Sequence, residues 1–273
     1  MLTAAYLKEM AQKGIFAGPA EDERSFVKRI DMTKNLPSHP DLKQFAFEPW
    51  KENLIAPLGV ALNWVPLTYS NKKLLPWQGG ALWVFGEEKL PMVQLRKKLK
   101  SGRLLFYSEK EILLHEATHA LRARFDEPRF EEILAYFHSS SRFRRFFGPI
   151  FRRSREVYIF LSLIFASLLV MSSSAFFLAS PLLPLFQFAL VLPLFDLLLR
   201  TVKLIKDQRI LKKALKKIQD LFPSTSPFSA ALMLTDSEIE AFAIKPPKVL
   251  FDMIETKIST SLRWRQILAI ANP

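Results

Sequence analysis

The sequence predicts an α+β fold that is mostly α: a small antiparallel sheet, a helix with two histidines one turn apart, a second helix folded back on it, and a hydrophobic transmembrane helical hairpin. Three observations carry that prediction. His115-Glu116-Ala117-Thr118-His119 follows a helix-start signal. The stretch before it, from Asp41 to Arg103, alternates short apolar runs with prolines and glycines and holds four of the five tryptophans. The stretch after it, Val157 to Leu199, runs 43 residues without a lysine or arginine, and Asp196 is its only charge.

Taken in order, Met1 to Lys13 mixes Lys8, Glu9 and Lys13 with apolar residues and predicts a short helix ended by Gly14 rather than a signal peptide. A second helix is expected from Pro19 to about Met32, with Glu21, Asp22 and Glu23 early and Lys28 and Arg29 late, where they suit the helix dipole. His39, in Pro37-Ser38-His39-Pro40, reads as a surface loop. Ala81 to Phe85, the turn Gly86-Glu87-Glu88 and Pro91 to Leu95 read as a pair of strands.

Ser108 and Glu111 form a capping-box signal ahead of Ile112-Leu113-Leu114, so the histidine motif lies near the second turn of a helix. Residues four apart on a helix share a face, which lets both imidazoles converge on one metal ion. Zinc fits best. It accepts two neutral histidines and a carboxylate, keeps a position for water and lowers that water's pKa. Glu116, beside the first ligand, is placed as the general base.

Asp126 and Pro128 signal a tight corner and a second helix carrying Glu131, Glu132 and Tyr136. The residues alone leave the third ligand open between Glu132, Glu131 and, beyond the hydrophobic block, Glu238 or Glu240.

Glu132 begins the pattern Glu-x-x-Ala that ends at Ala135. With His115-Glu116-x-x-His119 it resembles the gluzincin zinc metallopeptidases, among them thermolysin-like enzymes and the membrane proteases of the heat-shock and CAAX-processing kind. The resemblance covers only a small part of the chain, from 115 to 135. It implies a minimal metallopeptidase core in which Glu132 is the third zinc ligand and the substrate is a protein or peptide. It also implies that the strand before the zinc helix, here Ala81 to Phe85, pairs with the substrate backbone. One position departs from the family: where an aspartate usually follows the ligand glutamate by four residues, this chain has Tyr136. Tyr136 is a candidate for orienting a ligand or stabilising an oxyanion. His138, at the end of that helix, is a weaker candidate of the same kind.

The net charge of +13 is unevenly placed. Residues 139–156 carry six arginines against one acid and residues 200–220 eight cations against two, so eleven of the thirteen excess charges flank the hydrophobic block. This excludes a nucleic-acid face and fits cytoplasmic rims beside anionic lipid headgroups. Arginines alternating with phenylalanines from Arg142 to Phe147 suit the headgroup layer. At 1.5 Å per residue the block is about 65 Å long, two crossings of a roughly 30 Å hydrocarbon layer, with a turn expected at Ser180-Pro181. The absence of cysteine excludes disulfides and thiolate metal sites.

The chain therefore divides into a metallopeptidase-like catalytic domain (1–138), a basic-aromatic juxtamembrane segment (139–156), the hairpin (157–199), a basic amphipathic helix (200–222) and a C-terminal helical region (223–273). The expectation is an integral membrane zinc endopeptidase, of a bacterial inner membrane, with its catalytic domain facing the cytoplasm. Two other readings stay open: an inactive metalloprotease-like membrane adaptor, and a lipid-surface binding protein.

Overall fold

The computed structural model describes residues 1–34, 36, 42, 45–76, 78–174 and 183–271, with side chains described for all of these except 173–174 and 183–190. His39, Trp77 and the expected turn at Ser180-Pro181 lie outside the described residues. Helix α1 (Ala4–Gln12) starts where Thr3 accepts the Tyr6 amide, and the chain leaves it through Gly14 at φ 70°. Helix α2 (Glu23–Lys34) begins four residues later than Pro19, because the Asp22 carboxylate accepts the Ser25 amide and acts as the cap. Glu21 is instead buried against Arg29, at 2.8 Å. The one-turn helix α3 (Glu52–Ile55) leads to strand β1 (Leu67–Tyr69).

Strands β2 (Gly80–Phe85) and β3 (Leu90–Leu95) form the expected antiparallel pair, Leu82 opposite Val93. The sheet as a whole is mixed, not antiparallel: β1 runs parallel to β3, with order β1-β3-β2. The reason lies in burial. β3 is buried along its whole length and has a partner on both sides, whereas β2 is left at the edge. A two-residue hairpin, β4 (Arg103–Leu104) and β5 (Tyr107–Ser108), then feeds helix α4 (Glu109–Leu121).

Helices α5 (Pro128–Ala135) and α6 (Arg142–Phe147) follow, then α7 (Ser154–Ser174) and α8 (Leu183–Leu221). The two long helices pack side by side, and Arg200 bridges Glu156 at 3.1 Å across them. The expectation of two apolar spans needs correction. Among the described residues one helix is long and apolar enough to cross a bilayer, Ser154–Ser172, with mean hydropathy 1.7 and 6% of it buried. The other arm is fused to the amphipathic helix: α8 runs 39 residues with Pro193 in its interior, and nothing between Pro193 and Pro223 separates the apolar part from the basic part. Its apolar half therefore passes directly into lysines and arginines.

The tail folds back as α9 (Pro227–Leu232), α10 (Asp236–Ile244), α11 (Pro247–Thr260) and α12 (Leu262–Ala271). One apolar core contains Leu113 and Ala117 of α4, Phe130 and Leu134 of α5, Leu211 and Ile218 of α8, Phe242 of α10 and Trp264 of α12. Gln266 of α12 fastens the N-terminus by accepting the Ala17 amide and donating to the carbonyls of Leu7 and Ile15.

Glu238 of α10 is the polar centre of that tail. It takes part in a capping box with Thr235 and accepts from Arg263, Lys257 and the Trp264 indole. Burial raises its pKa, but the Arg263 and Lys257 cations outweigh burial and hold it at about 2. Because the folded value lies below the ordinary one near 4.5, its contribution to stability is fully present above about pH 4.5 and is lost as the pH falls towards 2. Glu238→Gln leaves Arg263 as an uncompensated buried charge, and denaturant unfolding at neutral pH is expected to show a loss on the order of 3–5 kcal/mol.

Candidate metal centre

The motif helix α4 is fixed at both ends. Ser108 caps it by accepting the Glu111 amide at 3.2 Å. The return half of the box is not made, because the Glu111 carboxylate is taken by Arg144, Ser139 and Ser140. At the other end Arg122, 1% exposed, donates to the carbonyls of Leu232 and Leu234 at 2.9 Å and ties α4 to the α9–α10 connection. The face between these anchors buries Leu113, Ala117 and Leu121 and turns His115, Glu116 and His119 the other way.

The corner expected at Asp126 is there, with Asp126 in the left-handed region at φ 51°. Helix α5 starts at Pro128 without a side-chain cap of its own sequence. Asp236 supplies one from α10, accepting the amides of Arg129 and Phe130 at 2.8 and 3.2 Å. Glu127 returns the bond by accepting the Asp236 amide at 3.0 Å. Arg129 adds ion pairs to the buried Asp207 of α8 and to Glu240.

This corner lays Glu132 against the histidine pair. Its carboxylate oxygens stand 3.4 Å from His119 Nε2 and 3.9 Å from His115 Nε2, and the two Nε2 atoms are 3.3 Å apart. The three ligating atoms lie within 4.8 Å of one another. Donor atoms of a tetrahedral zinc site with bonds of roughly 2.0–2.1 Å stand about 3.3 Å apart, so the set fits zinc. The remaining carboxylates are committed elsewhere: Glu238 to Arg263 and Glu240 to Arg129.

The protons support the same fit. His119 Nδ1 hydrogen-bonds Glu131 Oε1 at 2.7 Å. The His115 ring donates to the Ala135 carbonyl, and with Nε2 facing His119, Nδ1 is the nitrogen left for that bond. The two Nε2 atoms then face one another, and a proton on His119 or a metal ion can stand between them. Burial and the neighbouring His119 hold the His115 pKa well below its usual value. Burial opposes charge on His119 too, but the carboxylates of Glu131 and Glu132 outweigh it and push its pKa up to about 9.

Glu116 is buried and accepts the Leu82 amide of the edge strand β2. Burial raises its pKa to about 7. Gly80 permits this approach, since a Cβ there would stand 3.1 Å from Glu116 Cγ. Tyr136 sets its ring edge-on to His115, centroids 4.6 Å apart, and Gly148 makes room for it, because a Cβ at that position would come within 2.5 Å of the ring. A cleft of about 220 Å³ opens over these groups, with His115 and Glu116 in its lining and Gly80, Leu104, Leu105 and Tyr136 around them. His138 does not line it. That ring packs against Phe137 and Phe228, and burial lowers its pKa.

The residue that sequence reasoning gave the wrong emphasis is Glu131. It supplies a carboxylate to His119, the service for which an aspartate four residues beyond the ligand was missing. Comparison with protein-family models, curated proteins and solved structures finds no match to the chain.

Zinc titration against a chromophoric chelator is expected to rank the carboxylates. Glu132→Ala, like His115→Ala and His119→Ala, should abolish tight binding. Glu131→Gln should weaken it about 10- to 100-fold by releasing the His119 ring, and Glu240→Ala should leave it unchanged.

Proposed function

We propose that the protein is a membrane-anchored zinc-dependent endopeptidase acting on membrane or membrane-associated polypeptides. The observation that carries this reading is the gathering of His115 Nε2, His119 Nε2 and a Glu132 oxygen within 4.8 Å of one another, with a buried carboxyl one residue after the first histidine. His115, His119 and Glu132 would hold the ion. Zinc bound there supplies a water of lowered pKa and polarises a carbonyl oxygen.

The other steps belong to the chain itself. Glu116 accepts the proton that the attacking water loses and returns it to the leaving amine. Burial suits it to that double duty, because a carboxyl with a pKa of about 7 is a stronger base than an exposed one and an adequate acid near neutral pH. Glu131 and the Ala135 carbonyl hold the two rings in the tautomer that leaves Nε2 free. Tyr136 limits the motion of the His115 ring and lines the cleft where an oxyanion would form. The free side of β2, at the sheet edge beside Glu116, offers backbone groups to an extended polypeptide.

The membrane part of the reading rests on α7, whose side chains are largely exposed although apolar. The six arginines of residues 139–156, which precede α7, would place the cleft on the cytoplasmic side.

Glu116→Gln separates an enzyme from an inactive scaffold. The variant should bind zinc as the parent does and lose on the order of 10² to 10⁴ in the rate of cleaving an unfolded protein substrate. Parental cleavage should stop on chelation and return with zinc. Equal cleavage by both proteins would remove Glu116 from the chemistry.

A further inference from the structure

The most exposed large apolar residues of the described N-terminal half after Met1 sit side by side at the cleft. Leu105 and Phe106 form the two-residue loop between β4 and β5 and are 79% and 85% exposed. The loop chemistry is unfavourable on its own terms. A two-residue hairpin loop favours asparagine and glycine, yet Leu105 takes the left-handed region at φ 52° and gains no burial within the chain in return. Residues that break a turn rule and a solubility rule together indicate a partner that receives them.

The surroundings specify the partner's chemistry. The chain enters the loop through Lys97, Lys98, Lys100 and Arg103, all exposed. Lys100 is paired with Glu48 at 2.6 Å, whereas Glu109 is buried against Lys51 and Tyr69 and Glu111 against Arg144, so the excess positive charge beside the loop lies on Lys97, Lys98 and Arg103. Arg144 also lies over the ring of Tyr107, at 4.8 Å, and so joins the hairpin to α6. Helix α6 carries a second exposed apolar pair, Phe143 and Phe147, at 70% and 36%. Seven residues after Phe147 the chain enters α7, the one span-competent helix among the described residues.

We propose that the Leu105–Phe106 tip is an interfacial anchor. It inserts into the headgroup–acyl boundary of an anionic bilayer, with Lys97, Lys98 and Arg103 on the phosphates, and seats the mouth of the metal cleft on the membrane surface. Leu105 both lines the cleft and forms the tip, so a polypeptide lying at the interface meets the cleft without leaving the membrane. The inference rests on the membrane-anchored reading above and supplies what that reading lacks, the orientation of the cleft.

The chain has no cysteine, so single labels are unambiguous. Full-length Phe106→Cys, Leu105→Cys, Phe165→Cys (mid-α7) and Asp31→Cys (exposed on α2) are spin-labelled and reconstituted into vesicles of phosphatidylcholine and phosphatidylglycerol. Power saturation then compares collision with oxygen, which concentrates in lipid, and with a water-soluble nickel chelate. Labels at 105, 106 and 165 should favour oxygen, and the label at 31 should favour nickel. If 165 favours oxygen while both 105 and 106 favour nickel, the anchor in α7 stands and the tip inference is overturned, leaving the tip to a protein partner. If 165 also favours nickel, the membrane reading falls and takes this inference with it. Because no arm reads activity or metal, failure of the zinc reading leaves the result intact.

Discussion

Two helix N-termini that cap each other set the geometry of the candidate centre. Asp236, the first residue of α10, satisfies two free amides of α5, and Glu127, just before α5, satisfies the amide of Asp236. Each such cap is worth roughly 0.5–2 kcal/mol, and together they fix where α5 begins and how it is rotated. Rotation matters because α5 has only eight residues and its inner face must deliver two adjacent carboxylates to one imidazole. Arg122 extends the same clamp from the end of α4 to the carbonyls that precede α10. The helix bearing the histidines and the helix bearing Glu132 are therefore both referenced to the C-terminal tail.

Electrostatics explains why such a clamp is needed. Glu116, Glu131 and Glu132 are gathered around two largely buried imidazoles, an arrangement whose mutual repulsion is relieved only by cations. Burial raises the pKa of Glu132 and Glu116, while the carboxylates raise that of His119. A proton on His119 or a metal among the three ligands answers the same deficit. The framework that holds the charges together uses its own pairs, Arg129 with Asp207 and Arg263 with Glu238, set into the surrounding helices. These pairs draw α8 and α12 into the support of a site to which neither contributes a ligand.

Much of the centre was legible in the sequence because its signals are local. Four-residue spacing put His115 and His119 on one face, and Asp126 with Pro128 marked the corner that returns Glu132. Tyr136 sits beside His115, one turn beyond Glu132, as helical spacing requires. Glu131 was less legible, since adjacent residues on a helix point about 100° apart and only the tertiary rotation of α5 shows which ring the first of them meets. The role of Glu238 was hidden for a related reason. Its Glu-x-x-Ala pattern matches that of Glu132, and only the distant partners Arg263 and Trp264 distinguish a structural carboxylate from a ligand. The parallel pairing of β1 and the continuity of α8 were also missed. A three-residue strand has no readable period, and a helix that passes from apolar to basic residues without a breaker looks in sequence like two segments.

A cap from 104 residues downstream of Glu132, at Asp236, holds the helix that carries Glu132 in place. Asp236→Ala removes no ligand and no group near the imidazoles, so its effect on zinc affinity reads that coupling alone, with α-helical content checked by circular dichroism. The loss of about 0.5–2 kcal/mol expected for a cap corresponds to a zinc affinity lowered roughly 2- to 30-fold. An Asp236→Ala protein with parental helix content and parental zinc affinity would mean that α5 keeps its position without this cap.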